Sequence, residues 1–114
     1  MLNVRDLVQK EYGVITDVFE AITPTIPAAT ITRLLANDPG RLNYTLVNLG
    51  SNDLLFCHTQ NPSATRGIFV AKSGGYVTLD WKDDGMLVTL PLYAFSTGGT
   101  TIYLVGVKII GVPG

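Results

Sequence analysis

The chain has 114 residues, 46% of them apolar and only 15% charged, with eight basic and nine acidic side chains for a net charge of −1. That apolar share builds one buried core without a disulfide or metal staple and excludes wholesale disorder. The balanced charge lacks the basic excess of a nucleic-acid protein, and so few charges leave a surface prone to association.

Residues 3–22 carry Val4, Leu7, Val8, Tyr12, Ile15, Val18, Phe19 and Ile22 at steps mostly of three and four, the helical period. Asn3 is placed to cap such a helix, with Asp6 three residues on. Gly13 interrupts it, so a break there, or an extended strand from Gly13 to Ile22, is the alternative. Pro24 and Pro27 end any helix and make 23–29 an extended linker. The expected division is therefore an N-terminal arm with its Pro-containing linker, 1–29, and a β-sandwich domain, 30–114.

From Thr30 onward the pattern becomes short β-type runs: 30–35, 42–49, 53–58, 67–71, 76–79, 86–90, 92–96 and 100–110. Turn chemistry separates most of them, as in Asn37-Asp38-Pro39-Gly40, Ser73-Gly74-Gly75 and Thr97-Gly98-Gly99. This spacing predicts an all-β fold, an antiparallel, jelly-roll-like β-sandwich of about seven or eight strands. With no second helix for a crossover, a parallel sheet is excluded. In 42–49, Leu42, Tyr44 and Leu46 alternate with Asn43, Thr45 and Val47, one face buried and one mostly wet. In the last run Tyr103, Val105, Val107 and Ile109 share one face. Ile102, Leu104 and Ile110 share the other, interrupted by Gly106 and Lys108. A strand apolar on both faces needs a cover on both, either the chain's own N-terminal segment or another subunit.

The chemistry of a site is sparse. Cys57 is the only cysteine, so no intramolecular disulfide forms. His58, the only histidine, points away from Cys57 on a strand, so the two make no nucleophile–base pair. Zinc ligands of the Cys and His types run out at two. Asp80-Trp81-Lys82-Asp83-Asp84-Gly85 superficially resembles a calcium loop, but Lys82 stands at its third position and Pro91 at its twelfth. That segment reads as a turn. The Gly-Gly pairs open no helix and hold no phosphate. Neither an enzyme, nor a cofactor, nor a metal, nor a nucleic acid is expected. There is no apolar leader and no run of 18 apolar residues, which points to synthesis in a cytoplasm.

One resemblance covers about two-thirds of the chain, from Thr30 to Val107. It is carried by Arg41-Leu42-Asn43-Tyr44-Thr45-Leu46-Val47-Asn48-Leu49, Asn52-Asp53-Leu54-Leu55 and Pro62-Ser63-Ala64-Thr65-Arg66-Gly67-Ile68. Ala71-Lys72-Ser73-Gly74-Gly75, Tyr93-Ala94-Phe95-Ser96 and Gly98-Gly99-Thr100-Thr101 complete it. The pattern resembles a family of small β-sandwich proteins encoded in tailed-phage structural gene clusters. What it implies is a virion structural role: a capsid decoration (cement) protein bound to the major capsid protein on the outer surface of the assembled head. It also implies a homo-oligomer, with docking as a trimer at local threefold positions. A neck, tail or fibre-base accessory protein shares the fold and differs in where it docks. A small carbohydrate-binding β-sandwich module, stacking sugars on Trp81 or Tyr76, is the reading from another class. The candidate partner-binding arm is Val4, Leu7, Val8, Tyr12, Ile15, Val18, Phe19 and Ile22, and the candidate interface strand is Tyr103, Val105, Val107 and Ile109.

Overall fold

Alternation of buried and half-buried side chains along Arg41–Asn48 and Thr100–Gly111 makes these two strands the centre of the larger sheet. The computed structural model describes residues 4–21, 25–59, 61–63 and 65–111. A helix, α1 (Val4–Tyr12), precedes the strands β1 (Ile15–Ala21), β2 (Thr25–Ile26), β3 (Thr32–Leu35), β4 (Arg41–Asn48) and β5 (Leu54–Cys57). Then come β6 (Ile68–Val70), β7 (Tyr76–Asp80), a short helix α2 (Trp81–Asp84), a 3-10 turn (Gly85–Thr89), β8 (Leu92–Phe95) and β9 (Thr100–Gly111). One sheet runs β1-β9-β4-β7, with β2 also on β9, and the other runs β3-β8-β5-β6. All strand pairs are antiparallel. The protein is an all-β sandwich, as its turn spacing predicts.

The core lies between the sheets. Tyr44, Leu46, Leu79, Ile102 and Leu104 come from the larger sheet and Leu54, Phe56, Val70, Leu92 and Ala94 from the smaller, with Ile26 and Val88 joining at the margins. Burying each large side chain contributes about 1.5–3 kcal/mol. On β9 the buried face is Ile102, Leu104 and Gly106, so Tyr103, Val105, Val107 and Ile109 face outward.

Two expectations are corrected. The helical period of 3–22 does not hold throughout: α1 stops at Tyr12 and β1 runs over Ile15–Ala21, so the alternative of a break at Gly13 with a strand beyond it is the one found. Gly13, at φ +69°, donates its N–H to the Gln9 carbonyl at 2.8 Å and turns the chain out of the helix. β1 and β2 both pair with β9, so this part of the segment read as an arm is built into the sheet. Ile22 lies outside the described residues. The second correction is 86–90, read as a strand and found in the 3-10 turn. Its carbonyls go elsewhere than a ladder. Those of Val88 and Leu90 accept from Arg41 Nη1, both at 3.1 Å, and that of Thr89 accepts from the Asp38 N–H at 2.9 Å.

Arg41 is itself buried, 4% exposed. Its second terminal nitrogen donates to the Ala36 carbonyl at 2.5 Å, and its guanidinium lies 5.8 Å from the centre of the Phe19 ring. That ring crosses β9 at Gly106, where a Cβ would strike Phe19 at 2.7 Å and the Asn43 carbonyl. At the other end Asn48 is fully buried and fully bonded. Its amide donates to the Asn52 and Val70 carbonyls at 2.8 and 3.2 Å, and its oxygen accepts from Thr100 Oγ1 and the Gly50 N–H at 2.6 and 3.2 Å.

Arg41→Met leaves three carbonyls without their charged donor and is expected to cost about 3–5 kcal/mol. Gly106→Ala overpacks the Phe19 crossing and costs about 1–3 kcal/mol. Both are read as lower urea midpoints with unchanged slopes.

Candidate interaction surface

The antiparallel register fixes which side chains share the outward face of the larger sheet, because directly paired residues point the same way. Val107 pairs with Val18 on β1 and Asn43 on β4; Val105 with Glu20 and Thr45; Tyr103 with Val47, which in turn pairs with Tyr76 on β7. The four residues of the candidate interface strand thus stand in one row, flanked by Val18 and Val47. Val18 is 63% exposed, Tyr76 71% and Tyr103 39%, while Val105, Val107 and Ile109 are half-buried by their neighbours alone. Polar links stitch the row in place. The Tyr103 hydroxyl donates to Glu20 Oε2 at 2.9 Å, the Thr45 and Thr78 hydroxyls are 3.1 Å apart, and Asn43 Oδ1 accepts from the Val107 N–H at 3.0 Å.

The row ends in a cleft of about 470 Å³ lined by Tyr12, Val14, Leu42, Ile109 and Trp81, with Asp80 and Lys82 at its polar side. Tyr12 meets Trp81 edge-on, ring centres 6.4 Å apart and planes at 85°, which ties α1 to α2. Leu42 corrects the sequence reading that buried it with Tyr44 and Leu46. The register shifts between Arg41 and Asn43, so Leu42 is an extra residue in a bulge and lines the cleft. No sequence signal announces that bulge.

The seven described arm candidates divide between two elements. Val4, Leu7, Val8 and Tyr12 stand on α1, and Ile15, Val18 and Phe19 on β1. Leu7 and Tyr12 are exposed, whereas Phe19 packs against the core cluster. Among the described arm candidates, Val18 belongs to the outward row.

The polar groups singled out earlier serve the fold. Asp80 Oδ1 accepts from the Lys82 N–H at 2.8 Å and Asp84 Oδ2 from the Asp80 N–H at 2.9 Å, so the calcium-like stretch is a capped helical turn. His58 Nδ1 lies 3.3 Å from the Pro91 carbonyl and its ring meets Phe56 edge-on at 6.0 Å. Cys57 Sγ is 3.8 Å from the Arg66 carbonyl. Among the described residues no three His, Cys, Asp or Glu side chains gather as a metal site. No helix of the described residues is long and apolar enough to cross a membrane. Comparison with known protein families, with curated proteins and with solved structures finds no match.

Two tyrosines titrate late. Burial pushes the Tyr44 phenol well above its ordinary value, against the pull of Arg41, and its hydroxyl makes no hydrogen bond among the described residues. The hydrogen bond to Glu20 raises Tyr103. Unfolded tyrosine releases its proton near pH 10 while the folded chain holds these two. The stability they contribute is therefore complete below about pH 10 and is lost as the pH rises beyond it. A spectrophotometric titration of the chain is expected to show a late step that belongs to Tyr44 and Tyr103. Tyr44→Phe removes the last step.

Proposed function

We propose that this chain is a structural protein of a phage virion, most concretely a capsid decoration protein that docks on the assembled head and stabilises it. The observation that carries the reading is the outward apolar row Tyr103, Val105, Val107 and Ile109, with exposed Val18 beside it and a cleft at its end. An apolar sheet face left open to water is an incomplete burial, and a partner that covers it only in the assembled particle favours the particle by mass action. The strand order β1-β9-β4-β7 against β3-β8-β5-β6, with β2 continuing the β1 edge, supports a jelly-roll reading. That architecture recurs in viral capsid proteins and in lectins. Fold alone assigns no function, so the open face and the tailed-phage resemblance bear the weight. In this reading the partner is the major capsid protein, the chain acts as a homo-oligomer, a trimer at local threefold positions, and its place is the capsid surface.

The lectin side of that architecture keeps carbohydrate binding as the second reading, since Tyr12 and Trp81 are exposed rings on the cleft. Their planes cross at 85°, however, and offer no common platform for a sugar ring.

The test is co-sedimentation of the purified chain with assembled, undecorated heads of the parent phage. Saturable binding that raises the melting temperature of the heads is expected. Val18→Lys combined with Val105→Lys is expected to weaken binding at least about tenfold with the β spectrum retained. Absence of binding to heads, with retention on a glycan array that Trp81→Ala abolishes, replaces the proposal with the second reading.

A further inference from the structure

The sandwich has four sheet margins, and they are not equally protected. β1 carries Asp17 and Glu20, and Asp17 Oδ1 holds the Val18 N–H at 2.8 Å, which removes one amide from any incoming strand. β3 has the exposed Arg33 within it. β7 runs directly into α2 through the capping residue Asp80. β6 has none of these devices. It is Ile68-Phe69-Val70, hydrogen-bonded to β5 on one side and, among the described residues, to no strand on the other. Ile68 is 48% and Phe69 61% exposed.

Its surroundings are specific. Arg66 and Lys72 bracket the strand, both exposed, and among the described residues neither charged group has an ion-pair partner. Asp53 Oδ1 accepts from the Lys72 N–H at 2.9 Å and fixes the chain where it leaves β6. On the outward face Phe69 pairs with Leu55, and the two border a pocket of about 290 Å³ whose other walls include Asn52, Asp53 and Thr97. A bare strand edge supplies backbone hydrogen bonds, and a pocket beside it selects side chains.

The charges choose the occupant. Antiparallel self-pairing centred on Phe69 sets Arg66 of each copy opposite Lys72 of the other, like charge against like. We propose that the β6 edge accepts, by strand addition, an extended segment of another protein that is apolar at alternate positions and carries carboxylates about six residues apart. This site lies on the smaller sheet and does not rest on the role given to the outward face of the larger one.

The probe is a fluorescein-labelled peptide, Glu-Val-Thr-Val-Thr-Val-Glu with blocked termini, followed by anisotropy on the full chain. Saturable binding is expected. The same peptide with lysine at both ends, and the acidic peptide N-methylated at alternate amides, are each expected to bind about tenfold more weakly. The double variant Arg66→Glu/Lys72→Glu, on the surface and checked by circular dichroism, is expected to prefer the lysine-ended peptide. No saturation by about 1 mM acidic peptide, equal binding of the two charge patterns, or indifference to N-methylation overturns the proposal. So does a concentration-dependent dimer of the unmodified chain that Phe69→Lys abolishes, since a second copy is then the occupant.

Discussion

A buried guanidinium holds one end of this sandwich together. Arg41 is nearly sealed from water, yet it serves carbonyls from two separate segments, Ala36 before β4 and Val88 and Leu90 around the 3-10 turn. Planar geometry and five donors let one side chain do this, where a lysine would offer a point charge. Burial works against the charge and nearby Asp38 supports it. The rest of that end follows. The 3-10 turn inserts Val88 into the core because its carbonyls are satisfied by Arg41, and Phe19 closes over the guanidinium only because Gly106 lets the ring cross β9. Asn48 plays the corresponding role at the opposite end with neutral groups, every hydrogen-bonding capacity of its amide facing a partner or a turn.

What could be read from the chain, and what could not, divides along the same lines. Local alternation marked β4 and β9, and the Gly, Pro and Asn turns marked their neighbours, because those signals depend on residues two or four apart. The run 86–90 has a strand's composition, and only Arg41, more than forty positions away, decides that it is not one. Gly106 looks like a gap in an apolar face; its reason is an aromatic ring from β1. Val18 and Phe19 were grouped with Tyr12 and Leu7 by a helical period that Gly13 cuts short. Of the candidate surface, the row on β9 was legible as a shared face. That it faces outward depends on strand order, which no local pattern encodes, and the Leu42 bulge is likewise a product of pairing.

The two surfaces described here sit on different sheets and differ in kind. The outward row on β9 is broad and apolar, anchored by rigid strands on both sides. The margin at β6 is narrow, with backbone groups at its centre and positive charge at its ends. In the proposals made for them, shape and burial govern recognition at the first, and backbone direction and charge at the second.

β9 also sets an order of events. β1, β2 and β4 all draw hydrogen bonds from it, and β1 pairs with residues about ninety positions downstream. During synthesis the β5–β6 hairpin and the β4–β7 pair have their partners early, but β1 and β2 wait without theirs until residues 100–111 emerge from the ribosome. Through that interval Val18 and Phe19 are exposed on an unpaired segment beside Asp17 and Glu20, whose like charges keep nascent chains from pairing with one another.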